Sequence, residues 1–486
     1  MTRLSKYCPT YTRLCVWLWH SPTFTTWGNY AAQSLRLLLV TPLILTRFDE
    51  TEIAAWYLFA SLNFFGTTIS QRLGLTFSRM FAFAMGGASN LAPIKGKREQ
   101  ENGGQPNWPA FERAYGTVGS LNLGLGWLNV LLALGMGWFG LSNLLAGYEA
   151  KGVIWLAFGL MQFSSLFSFI FQRYAIALQG MNYIALSNRW GIIFSLLSIV
   201  FGSLTLWLGG GIVALVLVMQ VFTVLGFFRK RFLLRAVEGG RVLGFKQYSF
   251  DREVFSWAWE PTWKGFVGQF GIHGSVQLTA IIYTAFGSKL EVASFLFSMR
   301  MMQTITQIGH APFSSVQPLM SRQVAAAQYV ELKKLLHRRI TISLVMTAVG
   351  IILAGVSLPF LLSYIGASIS FIDTKAWFLM GALLLLFRFD IINGAVCGLG
   401  NHIVFYWDLL FAAVISLTVL LWLSNTIGIY GPIISMYSPA ILILNIRPFL
   451  KAAKSIPDGG RVKWGWDFLI LYVGFLLVTA ALVFAM

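Results

Sequence analysis

The sequence predicts an all-α polytopic membrane protein with about thirteen (12–14) spanning helices in two six-helix lobes around a central cationic cavity. Three observations lead there. The 486 residues are 57% hydrophobic and 11% charged, with a mean hydropathy of +0.69, against about 25% charged residues in a soluble domain. Apolar stretches long enough to cross a bilayer recur along the whole chain, separated by short polar breaks. Lysine and arginine gather in every second break.

A spanning helix needs roughly 20 apolar residues, and backbone groups in hydrocarbon must find partners within their own segment. The expected spans are 24–46, 53–85, 114–140, 152–172, 190–208, 211–228, 255–285, 292–318, 341–362, 375–393, 405–424, 429–446 and 467–485. A membrane β-barrel would show alternating segments of about ten residues, whereas Ile342 to Leu362 and Trp377 to Phe387 are apolar on every side.

The net charge of +18 would suggest nucleic acid in a soluble protein, but its distribution gives another reading. One set of breaks holds Lys95, Lys97, Arg98 and Arg113, the cluster from Arg229 to Arg252, and the basic runs Arg322 to Arg339 and Arg447 to Lys463. The other holds Arg47, Lys151, Lys289 and Lys375. Positive charge stays inside, so the N-terminus is expected in the cytoplasm and the chain is expected to cross its membrane many times. The basic loops are read as facing membrane lipids, with no nucleic-acid partner.

Residues 1–23 form the expected cytoplasmic or interfacial N-terminal segment, 24–229 the first lobe, 230–254 a basic cytoplasmic linker, 255–447 the second lobe, and 448–486 a cytoplasmic loop plus an extra C-terminal helix. Glu52 to Leu58 at the start of the second span echoes Glu291 to Phe297 at the start of the eighth. Two lobes related by an axis along the membrane normal would give that repeat. Cys8, Cys15 and Cys397 fall on the reducing side and are expected to form no disulfide; their spacing offers no metal site. No ATP or metal signature occurs, so no cofactor is expected, and coupling to a proton or sodium gradient is left open.

Polar residues at helical spacing mark the interior faces. In the first span Thr26, Asn29, Gln33 and Arg36 share a face; in the second, Thr68, Arg72, Thr76 and Arg79; in the eighth, Arg300, Gln303, Thr304, Gln307, His310 and Ser314. An arginine at mid-membrane costs about 2.5–3.5 kcal/mol if it faces lipid, so Arg36, Arg72 and Arg300 should face protein or water. Few acids are at hand. Glu260 sits four residues from Lys264 on the seventh span and can neutralise it. Surplus cations around a shared cavity suit an anion. For Arg79 and Arg388, near helix ends, pairing or reaching towards the interface is the favoured reading. His273 and His310 are read as hydrogen-bonded core residues in preference to a proton relay. Pro261 with Gly265, Gly268, Gly271 and Gly274 fits a bending gate and close helix packing equally well.

Two six-helix lobes, an arginine in each of spans one, two and eight, and a basic mid-chain linker resemble the polysaccharide flippases of the multidrug/oligosaccharidyl-lipid/polysaccharide export superfamily. The local marks are Glu52 to Leu58 with Gly66 and Arg72, then Phe295 to Arg300 followed by Pro312, Pro318 and the basic segment Tyr329 to Arg339. The resemblance implies translocation of an undecaprenyl-pyrophosphate-linked oligosaccharide between leaflets with no chemical conversion, hence not an enzyme, and a polysaccharide polymerase as a further partner. It implies substrate binding at Arg36, Arg72 and Arg300; the polar faces add Asn29, Gln33, Gln303, Gln307 and Lys264 as candidate substrate contacts, and the proline and glycines of the seventh span make Pro261, Gly268 and Gly271 the candidate gate. The competing readings are a multidrug or cation antiporter of the same superfamily, for which acids in the lobes would be expected, and a membrane glycosyltransferase using Asp49, Glu50 and Glu52.

Overall fold

In the computed structural model of the chain, the described residues are 22–92, 105–314, 316–317, 320, 329–397, 405–424, 426–455 and 463–485. Cys8, Cys15, Pro318 and most of the polar break before residue 105 lie outside them. The elements are α1 (Pro22–Arg47), α2 (Glu50–Met85), α3 (Trp108–Leu144), α4 (Lys151–Gly180), α5 (Ile184–Trp207), α6 (Ile212–Ala236), a 3-10 segment (Glu238–Gly244), α7 (Arg252–Gln269), a π turn (Phe270–Gly274) and α8 (Ser275–Tyr283). They continue with α9 (Lys289–Ser314), α10 (Tyr329–Tyr364), α11 (Thr374–Cys397), α12 (Tyr406–Leu423), α13 (Tyr430–Leu444), α14 (Arg447–Ser455) and α15 (Lys463–Ala485). Each of the thirteen expected spans coincides with a helix, the seventh being α7 and α8 joined through the π turn. Among the described residues eight helices are long and apolar enough to cross a membrane unaided, or nine if α13 and α14, bent by 44°, count as one. The chain is a multi-pass membrane protein. Its outer surface is apolar, as lipid requires: Trp138, Phe163, Leu353, Trp422 and Ile470 are all exposed.

Two compact units form, each discontinuous in sequence. The first comprises residues through Arg47 with 65–135 and 148–263; the second comprises 48–64, 136–147 and 264–486. In the first, α1 lies against α5, α4 against α6, and α5 against α6. Its core stacks Phe81 on Phe111 at 4.4 Å, with Tyr115, Tyr174 and Leu234 buried around them. The segment after α6 is docked on this core. Arg173, 2% exposed, donates from Nη2 to Gln247 Oε1 at 2.7 Å and lies over the Tyr248 ring at 4.6 Å. Ser249 N donates to the Gly116 carbonyl at 3.3 Å. Arg113 reaches Asp251 and Glu253 at 2.6 Å each. A side chain at Gly119 would run into the Gln247 carbonyl, so α3 needs glycine where this strap crosses it.

In the second unit α9 lies against α10, α10 against α11, and α12 against α13. The final helix, which sequence reasoning leaves without a role, covers the core of α10 and α11. Phe468 stacks on Phe389 at 4.0 Å, Trp464 Nε1 donates to Asn393 Oδ1 at 3.1 Å, and Asp467 meets His337 at 3.2 Å. Cys397 is a buried free thiol beside the Pro448 carbonyl.

The echo between the second and eighth spans is structural as well as textual. Asp49 Oδ1 accepts from Glu52 N at 2.8 Å while Glu52 Oε2 accepts from Asp49 N at 3.3 Å. Ser288 Oγ accepts from Glu291 N at 3.3 Å while Glu291 Oε2 accepts from Ser288 N at 3.0 Å. Both helices therefore open on a reciprocal capping box, followed by fully buried small and apolar residues, Ile53 to Ala55 and Val292 to Ala293. Tyr57 and Phe297, one position out of step in the repeat, meet edge-on at 6.1 Å.

Candidate functional site

The first unit contains Arg36 and Arg72. Arg36 is exposed on α1 and lines a cavity of about 280 Å³ that α5 and α6 complete. The side chains of Thr26, Asn29 and Gln33, one to three turns earlier, lie outside the described set. Arg72 is half-buried on α2; one turn on, Thr76 Oγ1 donates to the Arg72 carbonyl at 3.2 Å and accepts from Thr262 Oγ1 of α7 at 3.0 Å. That pair fixes the face of α2 on which Arg72 sits. Arg79 follows on the same face and adds a second positive charge near Arg72.

Arg300 belongs to the second unit. It is exposed on α9 and donates from Nη1 to Gln303 Oε1, one turn away, at 3.3 Å. Thr304 Oγ1 donates to the Arg300 carbonyl at 3.0 Å. Gln307 is exposed and His310 half-buried on the same face, so the expected stripe is real. The His310 ring stacks near Phe313 at 5.6 Å, with Arg388 and His273 within electrostatic reach. Gln303 Nε2, His310 Nδ1 and Arg388 Nε and Nη2 are buried donors or acceptors with no hydrogen-bond partner among the described residues. Sequence reasoning expects Arg388 to pair with an acid or reach towards the interface; instead it is 7% exposed on α11, because α10, α13, α14 and α15 close around that helix. Buried polar groups left without partners are uncommon in native proteins, which makes this seam chemically unfinished.

Lys264 is half-buried on α7, and Glu260 is exposed one turn before it. Pro261 lies inside α7 without ending it. A Cβ on Gly268 would sit 3.6 Å from Tyr406 Cβ, an ordinary contact. One on Gly271 would sit 2.6 Å from the Leu409 backbone of α12, so Gly271 is a close-packing glycine. The helix widens into its π turn at this point, a feature common at functional positions.

Two cations at the cavity were missed by sequence reasoning, which reads Arg229 and Lys230 as loop charges. They open the basic C-terminal end of α6, and both line the cavity with Arg36. The signal available was position: α6 continues to Ala236, well past the apolar stretch.

Fold and site define a polytopic helical protein of two units, each carrying arginines on its spanning helices. No family model matches the sequence, and no curated protein matches it. Among solved structures the chain is similar to an inward-facing MATE-family multidrug resistance transporter of the MOP superfamily, with TM-score 0.60 and 13% identity over 87% of this chain and 94% of that one. It is similar to the lipid II flippase MurJ in an inward closed conformation, with TM-score 0.59 and 12% identity over 95% and 98%. It is also similar to the MATE multidrug transporter DinF-BH, with TM-score 0.61 and 14% identity over 91% and 95%. The chain therefore has the fold of these three membrane proteins.

Proposed function

We propose that this protein is a flippase that carries an anionic, pyrophosphate-linked oligosaccharide lipid across a bacterial inner membrane by alternating access, with the N-terminus in the cytoplasm and no chemical conversion. The observation that carries this reading is a pair of second-unit cations with no acidic hydrogen-bond partner among the described residues, Arg300 on the polar face of α9 and the buried Arg388 on α11. Arg300 bonds a neutral glutamine, and Arg388 is buried with two of its nitrogens unsatisfied. A phosphate group supplies what such a cation lacks, because a guanidinium binds two phosphate oxygens at once. Within the first unit the substrate-binding residues would be Arg36 and Arg72 with Asn29 and Gln33, and within the second Gln303, Gln307 and Lys264 would contact sugars. Pro261, Gly268 and Gly271 would serve the conformational change. A gradient of protons or sodium would drive the cycle, and a polysaccharide polymerase would take the product.

The acids Asp49 and Glu52 cap a helix, and this use favours a carrier over a glycosyltransferase. Export of cationic drugs is the second reading, supported by the MATE-like fold. The test is a lipid extraction from a deletion strain together with leaflet-resolved labelling in proteoliposomes. Complete lipid-linked repeat units held on the cytoplasmic face, and restored flipping by the intact protein, are expected. Alanine at Arg300 or Arg388 should abolish flipping with the protein still present, and lysine should restore it only in part. Normal glycan export from the deletion strain with lost drug resistance would establish the antiporter reading instead.

A further inference from the structure

We infer that the cavity between α1, α5 and α6 is a phosphate-binding pocket for a lipid head group, built chiefly by Arg229 and Lys230. This goes beyond the seam above, lies within the first unit alone, and does not depend on what the protein transports.

Four features support it. Arg36, Arg229 and Lys230 converge on one cavity of about 280 Å³, near the lower bound of about 300 Å³ for small-ligand sites and ample for a phosphate or diphosphate group. No acidic side chain is among the described residues that line it, so the lining carries positive charge only. Arg229 is already oriented: its guanidinium carbon lies 5.0 Å from the Phe194 ring centre, and stacking on an aromatic face fixes the plane while leaving the edge donors available. Two of those donors, Nε and Nη1, are buried with no hydrogen-bond partner among the described residues.

The rest of the lining suits the same ligand. Asn188 and Ser195 of α5 add donors for phosphate oxygens. Lys230 Nζ stays 5.2 Å from the Phe227 ring, a compact charge beside the arginine fork. In the topology proposed above, Arg229 and Lys230 directly follow the apolar stretch of α6, at the depth of inner-leaflet phosphates. A cation there that served only to anchor the helix would point its donors at water; buried, unpartnered donors are better explained by a ligand.

Either an anionic glycerophospholipid or a polyprenyl pyrophosphate would present this chemistry, and the measurement separates them. The full-length protein is purified in mild detergent, delipidated, and titrated by native mass spectrometry with phosphatidylglycerol, polyprenyl pyrophosphate and inorganic pyrophosphate. The wild type should retain a phosphate-bearing ligand, and the Arg229→Gln/Lys230→Gln variant should bind it at least tenfold more weakly. Arg231→Gln, a neighbour that does not line the cavity, should bind as the wild type. Preference for the polyprenyl compound assigns the pocket to substrate and preference for phosphatidylglycerol to a resident lipid, and either supports the inference; binding of inorganic pyrophosphate with neither lipid overturns it. If the double variant does not purify, Ser195→Phe fills the cavity from α5 and should lower retention equally. Equal retention by wild type and the cavity variants overturns the inference, and does so without touching the flipping assays at Arg300 and Arg388.

Discussion

Replacing Gly271 and Gly268 singly by alanine separates packing from gating on the seventh span. At Gly271 the added Cβ would lie 2.6 Å from both Cβ and the backbone carbon of Leu409, about 1 Å inside ordinary carbon–carbon contact. The obstacle is backbone on α12, which no rotamer change relieves. Overpacking of this kind costs about 1–3 kcal/mol, offset by up to about 1 kcal/mol from alanine's helix preference. The net loss lies between about 0 and 3 kcal/mol, and a mid-range loss of about 1–2 kcal/mol changes a folding equilibrium roughly 5- to 30-fold. At Gly268 the nearest atom is 3.6 Å away, so alanine is accommodated and only stiffens the helix. Thermal unfolding of the detergent-purified variants by intrinsic tryptophan fluorescence should place Gly271→Ala below wild type and Gly268→Ala at or above it. If the two melt alike, the close approach of α12 is wrong. Flipping by the stable Gly268→Ala protein then reads the gate by itself: slowed transport supports bending at this glycine, and unchanged transport removes Gly268 from the mechanism.

Two further outcomes follow from the strap and from the break between α13 and α14. Arg113 holds the Asp251 carboxyl below the usual carboxylate range. Its stabilising effect is therefore present above the ordinary carboxylate pKa of about 3.9 and is lost as pH falls through the lowered value. Hydrogen exchange of residues 245–251 should be pH-insensitive in relative protection from neutrality down to about pH 5 and rise only below about 4. Arg113→Ala should loosen the strap at all pH values, by no more than about 1 kcal/mol because Arg113 and Glu253 are well exposed; wild-type protection at the strap in that variant would refute the docking. Ile446 is left-handed with φ 62°, a region that costs a β-branched residue about 1–2 kcal/mol, and it is mostly exposed. Ile446→Gly should raise the melting temperature, and a clear fall would count against the left-handed break.

The sequence and the structure agree where the physics is local. Apolar runs of spanning length became helices because hydrocarbon leaves the backbone no other partners, and all thirteen did so. The stripe from Arg300 to His310 survived because helical spacing alone puts those residues on one face. What was not legible depends on contacts far apart in the chain. Arg229 and Lys230 join Arg36 only because α1 packs on α5 and α5 on α6. Arg388 is deep in its unit because four other helices close around α11, which a distance from the helix end could not reveal. The π turn at Phe270–Gly274 has no composition signal beyond its glycines, and the tight seat of Gly271 depends on Leu409, more than a hundred residues later.

Asp49 decides between a carrier and an enzyme, because its structural and catalytic uses demand different things of the same side chain. As an N-cap it needs only an oxygen able to accept from Glu52 N, and asparagine caps as well as aspartate does. As a metal ligand or general base it needs the charge. Asp49→Asn should therefore leave stability and flipping unchanged, while Asp49→Ala should cost about 0.5–2 kcal/mol. The second capping box gives the internal control, since Ser288→Ala removes the equivalent bond from α9 and should cost a similar amount with no acid involved. Thermal midpoints and leaflet-resolved flipping, measured on the same preparations, read both quantities. Loss of activity in Asp49→Asn with an unchanged midpoint would mean that the carboxylate does chemistry, and the carrier reading would fall with it.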